Sequence, residues 1–246
     1  VDSETWNAHR LSFGPAAALY DRMRPRYPAV ALRWILGDAP CKVVDLGAGT
    51  GILTRELVAL GHDVTAVEPD PGMRAQHGTA VAGSAEEIPL PDGSVDAVLA
   101  GQAYHWFDRD KAHPEIARVL RTGGVIAPLW NIRDESVPWV SKLTDLMDGI
   151  GARQAGLDER HLDQDAFGPH FAPATKATFP FQLTYTADRL VNLMKTRSYY
   201  INAAPARQTE VERQLHELAA THPDLAGKAE FDLPYLTYCY KAAKIN

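Results

Sequence analysis

The sequence predicts a doubly wound α/β domain, a mainly parallel sheet covered by helices on both faces, with an antiparallel edge and helical additions. Three observations carry this expectation. Short strand-like runs alternate with helical apolar patterns or turns between residues 42 and 129. The first run, Lys42-Val43-Val44-Asp45-Leu46, shows little polar alternation, as a strand covered on both faces should. It then enters a turn with glycines at alternate positions, Gly47-Ala48-Gly49-Thr50-Gly51, which opens a helix.

Strands are expected at Lys42 to Leu46, Asp63 to Val67, Val81 to Ala82, Val95 to Ala100 and Gly124 to Leu129, with the first in the middle of the sheet. After the first, Ile52, Leu53, Glu56, Leu57 and Leu60 recur at helical spacing and Gly61 suits the helix end. A second helical face, Ile116, Val119 and Leu120, precedes Thr122-Gly123-Gly124, a sharp re-entry into the fifth run. Beyond Asn131 the periodicity weakens, and Trp139 to Ile150 reads as an amphipathic helix within a lid-like insertion. Lys176 to Thr186 and Tyr235 to Lys241 are rich in β-branched and aromatic residues, so both are candidate strands of the antiparallel edge, with helices from Ala187 and Gln208 between them.

The 246 residues fit one α/β domain with a cap. A hydrophobic fraction of 46% and a charged fraction of 23% are those of an ordinary globular chain. The net charge of −6 offers no basic footprint for a phosphate backbone, so nucleic acid is not an expected partner. Cys41 and Cys239 have no metal-like spacing and require no disulfide, which suits a reducing cytoplasm. No run reaches the roughly 18 apolar residues that span a bilayer, and Val1 to Arg10 lack the order of a signal peptide, so a soluble, cytoplasmic protein is expected.

Glu68 closes the second strand, beside the glycine turn. A carboxylate there can accept two ribose hydroxyls, while the turn allows close approach and the helix beyond presents N–H groups and a positive dipole end. With Asp45 before the turn, these residues converge on the carboxyl edge of the sheet and suit an adenosine-type cofactor. A strand-to-helix turn without a ligand is the plainer alternative, and the acidic pair argues against it.

Residues 40 to 131 resemble the class I S-adenosylmethionine-dependent methyltransferases. The resemblance rests on Val43 to Gly51, Glu68, Gly83-Ser84-Ala85-Glu86-Glu87-Ile88-Pro89-Leu90, Ser94-Val95-Asp96-Ala97-Val98 and Leu120-Arg121-Thr122-Gly123-Gly124-Val125, in that order. It implies a seven-stranded Rossmann-like sheet with an antiparallel edge strand and a helical cap. It also implies S-adenosylmethionine as cofactor, S-adenosylhomocysteine as product, and O- or N-methylation of a small-molecule acceptor. Carried over by position, Asp45, Gly47, Ala48, Gly49 and Gly51 surround the methionine part and ribose, and Glu68 holds the ribose hydroxyls. Pro69 packs on the adenine; Ser84, Ala85 and Glu86 follow its other edge; Gly101, Gln102 and Ala103 stand near the sulfonium. The family often has Asp where Ser84 stands, so a hydroxyl or backbone carbonyl must serve there.

The opening segment, Ser12 to Gly14 and Leu19 to Pro28, resembles small-molecule members, including trans-aconitate methyltransferase-like proteins, in which it covers the cofactor. Tyr20 and one of Arg24 or Arg26 are then candidates for the cofactor carboxylate, Arg26 being chosen here, and a solvated arginine cluster is the alternative. The organisation implied is an N-terminal cap segment over 1–40, a cofactor-binding core over 41–133, a helical lid with an additional strand over 134–205, and a C-terminal helix and edge strand over 206–246 that complete the core.

Methyl transfer from a sulfonium needs an in-line nucleophile and exclusion of water, whereas a base is needed only for acceptors such as phenols or protonated amines. His105, in Tyr104-His105-Trp106-Phe107, is the candidate base, with bracing of the sheet as the plainer role. Tyr199 and Tyr200 are candidates for the acceptor pocket or for core packing. No metal is expected, since the remaining histidines lack metal-like pairing. Two other functions stay open on sequence: a nicotinamide-dependent oxidoreductase, whose fingerprint has a two-residue gap this turn lacks, and a non-catalytic S-adenosylmethionine-binding protein.

Overall fold

The computed structural model describes residues 21, 23–148, 162–163, 166–196 and 198–245. Tyr20 lies outside them. Among the described residues one sheet has six strands: β1 (Lys42–Leu46), β2 (Asp63–Val67), β3 (Val95–Gly101), β4 (Leu120–Arg133), β5 (Thr175–Tyr185) and β6 (Phe231–Ala243), in the order β2-β1-β3-β4-β6-β5. The first four pair in parallel, and β6 is antiparallel to both β4 and β5. The helices are α1 (Ala29–Leu36), α2 (Ile52–Ala59), α3 (Pro71–His77), α4 (Arg109–Val119), α5 (Pro138–Asp148), α6 (Ala187–Lys195), α7 (Ser198–Ile201) and α8 (Pro205–Thr221).

The expectation of seven strands is corrected to six. The expected strand at Val81 to Ala82 is a single parallel bridge from Val81 to Val67. Val81 N–H donates to the Ala66 carbonyl at 2.9 Å, and its own carbonyl accepts from Glu68 N–H at 3.1 Å. Gly83 follows and lies hard against its neighbours: a Cβ on it would stand 2.7 Å from Pro89 Cδ and 2.9 Å from Val67 Cγ1. The chain then folds back on itself between Ser84 and Glu87 instead of following β2.

Alternation along the strands builds two cores. Val44, Leu46, Val98, Ala100, Ile126 and Trp130 face Ala112, Ile116 and Val119 of α4. Val43, Ala97, Leu99, Ala127 and Leu129 face Leu32 and Ile35 of α1 and Leu53 and Leu57 of α2. A third core belongs to the cap, where Trp139, Leu143, Leu190, Met194, Val211 and Leu215 of α5, α6 and α8 close on Tyr185, Phe231, Leu233 and Tyr235 at the far ends of β5 and β6. The register Tyr185 to Phe231 and Leu183 to Leu233 carries the β5–β6 pair past the last β4 pairing, Arg133 to Tyr235. Among the described residues, no helix is long and apolar enough to cross a membrane.

Candidate functional site

The strand order reverses between β1 and β3, so the crevice at the carboxyl edge opens beside the turn after β1. The three glycines of that turn serve different purposes. A Cβ on Gly47 would stand 2.7 Å from Ala103 Cβ, and one on Gly51 would stand 2.8 Å from His77 Cδ2; at Gly49 it would meet nothing within 4 Å. Gly47 and Gly51 therefore admit the protein's own neighbours, and Gly49 faces open space. Gly49 also has a φ of 57°, a conformation that favours glycine.

Glu68 ties this turn to the second strand. Its Oε2 accepts the Gly49 amide at 2.8 Å and its Oε1 accepts the Asp70 amide at 2.8 Å. Burial raises the Glu68 pKa, against the pull of these two amides. Asp45 is buried, and its Oδ2 accepts the Thr54 hydroxyl at 2.6 Å. Its Oδ1 has no hydrogen-bond partner among the described residues. Burial pushes Asp45 up to about 7, with the Thr54 hydrogen bonds opposing and the Glu68 charge adding.

The other expected residues divide. Ala103 meets Gly47, and Gln102, between Ala103 and Gly101, has a φ of 58°, a strained conformation for a non-glycine residue at a site's edge. Pro69 is half-buried, and its carbonyl accepts from Arg74 at 2.6 Å. Ser84 Oγ accepts the Glu86 amide at 3.3 Å, Ala85 is buried in the core, and Glu86 Oε1 accepts the Asp108 amide at 2.9 Å. Arg26 does not join the acids: it is exposed and pairs with Glu56 at 3.3 Å. Arg24 donates instead to the Thr196 carbonyl, after α6, at 3.1 Å.

His105 lies on a 3₁₀ turn, Tyr104–Trp106, directly after Ala103, with its ring 4.8 Å from that of Trp106. Burial first, then the Arg109 charge, pushes its pKa down to about 4. Tyr200 is buried in the cap core, and its hydroxyl donates to Glu212, so it packs in that core.

Sequence reasoning missed four residues. Thr54 and His77 stand behind Asp45, with His77 Nε2 3.1 Å from Thr54 Oγ1. Asp21 accepts the Thr50 hydroxyl at 2.9 Å and pairs with Arg55, which holds Asp21 on the glycine turn. Buried Asn131 donates to the Pro25 and Arg26 carbonyls at 3.3 and 3.1 Å and accepts the Thr237 hydroxyl at 2.7 Å. The lone polar Asn131 after the apolar fifth run was the one available signal.

A family profile described as a methyltransferase domain matches residues 44–127. An uncharacterized methyltransferase of Mycobacterium tuberculosis H37Rv is 42% identical over 240 residues, 94% of this chain and 95% of the relative. An uncharacterized methyltransferase-like protein of Schizosaccharomyces pombe is 32% identical over 246 residues, 95% of each chain. Among solved structures, a protein of Anaeromyxobacter dehalogenans assigned as a type II methyltransferase superposes with a TM-score of 0.64 at 27% identity, covering 90% of this chain and 97% of that one. Relatives spanning almost the whole chain set aside the nicotinamide alternative, and with the glycine turn, its acids and the doubly wound order they identify the chain as a member of the class I S-adenosylmethionine-dependent methyltransferases.

Proposed function

We propose that the acceptor is a small molecule methylated on oxygen or nitrogen, and that the cofactor lies along the carboxyl edge of β2, β1 and β3. The observation that carries the placement is Asp45 Oδ1, buried without a partner behind a turn that opens at Gly49. An unsatisfied buried oxygen costs about 1–3 kcal/mol, which the ammonium of the methionine part would offset. Each Glu68 oxygen keeps a lone pair beyond the amide it accepts, enough for two ribose hydroxyls. The donor set thus fits S-adenosylmethionine, with Gly47, Ala48, Gly49 and Gly51 around the methionine part and ribose. Pro69, Ser84, Ala85 and Glu86 would line the adenine, and Gln102 and Ala103 the sulfonium side.

Bound S-adenosylmethionine supplies an electrophilic methyl group; the chain's own residues orient the acceptor and exclude water. At a pKa of about 4 the His105 imidazole is neutral near pH 7 but weakly basic, which suits orienting an acceptor by hydrogen bonding better than stripping its proton. The N-terminal segment and lid are assigned as the cover. Support comes from Asp21 on the glycine turn, Asn131 on the Pro25 and Arg26 carbonyls, and Arg24 on Thr196. The resemblance of the opening segment to trans-aconitate methyltransferase-like proteins supports a small acceptor, with Tyr20 and Arg26 proposed for the cofactor carboxylate, Arg26 by exchanging its exposed pairing with Glu56.

Glu68→Ala tests the placement. Removing a buried hydrogen-bonding carboxylate should weaken S-adenosylhomocysteine binding by roughly ten- to a hundredfold, read by calorimetry on a variant whose fold is checked by circular dichroism. Parent-like affinity would remove Glu68 from the site.

A further inference from the structure

His77 ends α3, and its ring fills the place that a Gly51 side chain would take: a Cβ there would stand 2.8 Å from Cδ2 and 2.9 Å from Nε2. On one side, Nε2 is 3.1 Å from Thr54 Oγ1, which is 2.6 Å from Asp45 Oδ2. On the other, Nδ1 is 3.4 Å from Thr79 N and 3.2 Å from Thr79 Oγ1. A backbone amide only donates, so Nδ1 accepts, and in the neutral ring the proton sits on Nε2. Nε2–H then donates to the Thr54 oxygen, which commits the Thr54 proton to Asp45. Donors and acceptors match along the whole chain, from exposed Thr79 to buried Asp45.

This relay decides how the two Asp45 oxygens are used. Oδ2 is taken by Thr54, and Oδ1 is left without a partner. The same short helix also braces the second acid, because Asp70, the N-cap of α3, donates its amide to Glu68 Oε1. One element thus orients both carboxylates, Glu68 at its start and Asp45 at its end.

We propose that His77 is a positioning residue for the cofactor: through Thr54 it fixes which Asp45 oxygen faces the methionine part. This rests on the placement of Asp45 proposed above. Burial, joined by the nearby Arg55 guanidinium and opposed by a hydrogen bond to its own backbone, holds the His77 ring below the usual histidine range, so the neutral ring required by the relay prevails near pH 7.

The test compares His77→Leu, which cannot donate, with His77→Gln, whose amide can, by calorimetry with S-adenosylhomocysteine. Losing one hydrogen bond of the relay should weaken binding about tenfold in His77→Leu, and His77→Gln should recover affinity to within about threefold of the parent. Parent-like binding by His77→Leu, or an equal loss in both variants, overturns the proposal. The parent protein gives a reading that needs no variant to fold: nitrogen NMR at about pH 7.5 should show the neutral Nε2–H tautomer of His77, and an Nδ1–H tautomer or an imidazolium would overturn it. Asp45→Asn separates the two levels. If it binds like the parent, the placement of Asp45 fails; if it weakens binding while His77→Leu does not, only the role of His77 fails.

Discussion

Asp45 sets function against stability within one side chain. A carboxyl group whose pKa rises from 3.8 to about 7 on folding holds its proton in the folded state where the unfolded chain has lost it. Its contribution to stability is therefore present below about 3.8 and is lost as pH rises toward 7. Asp45→Asn keeps an acceptor for Thr54 and removes the charge. It should stabilise the cofactor-free protein by on the order of 2 kcal/mol at about pH 8 and give no gain near pH 4, measured by urea unfolding at both. An equal gain at the two pH values would show that packing, not charge, had changed. At this scale Asp45, Glu68 and the glycines were legible because a strand end and the turn behind it are contiguous in sequence. Thr54, His77 and Asn131 were not. Their partners lie 9, 23 and 106 residues away, and apart from the place of Asn131 as a polar residue after an apolar run, no periodicity marks such pairings.

Strand boundaries were legible where a turn closes the run. β1 and β2 occupy the residues their apolar runs mark, since Gly47 follows one and Glu68-Pro69 the other. β5 keeps the length of its run one residue earlier, whereas β4 and β6 extend beyond theirs, because pairing with a neighbouring strand recruits residues whose own pattern is weak. The reverse happened at Val81, where two residues of suitable type make only a bridge. Gly83 is closely packed where the chain turns away, and a methyl group there would stand within 3.2 Å of Pro89, Val67 and the Glu87 carbonyl. Gly83→Ala should cost about 1–3 kcal/mol by overpacking. Because Val81 accepts the Glu68 amide, S-adenosylhomocysteine affinity should fall with it. Thermal unfolding and calorimetry on this variant check both effects, and an unchanged melting temperature would show that the segment has room to move.

Across the molecule, Asn131 joins segments that the sequence keeps far apart. Its amide donates to the Pro25 and Arg26 carbonyls, its side-chain oxygen accepts from Thr237, and its backbone carbonyl accepts from Gln102 at 2.8 Å. Asn131→Ala leaves a buried hydroxyl and two carbonyls without their partner, at a cost of about 1–3 kcal/mol. It should also loosen the segment around Pro25 to Tyr27. Hydrogen exchange should show faster exchange of Tyr27 and its neighbours ahead of global unfolding, and a uniform change across the chain would contradict the local role. The β5–β6 pair has a different reach. Its first stretch is part of the sheet that bears the site, and its far ends, from Phe181 to Tyr185 and from Phe231 to Tyr235, form the floor of the cap core. Cap and site therefore share one continuous beam of paired backbone instead of a jointed linker. For anyone building chimeras across this junction, the practical seam is this register: a donor cap grafts cleanly only when its own two strands enter in phase with Leu183 and Leu233.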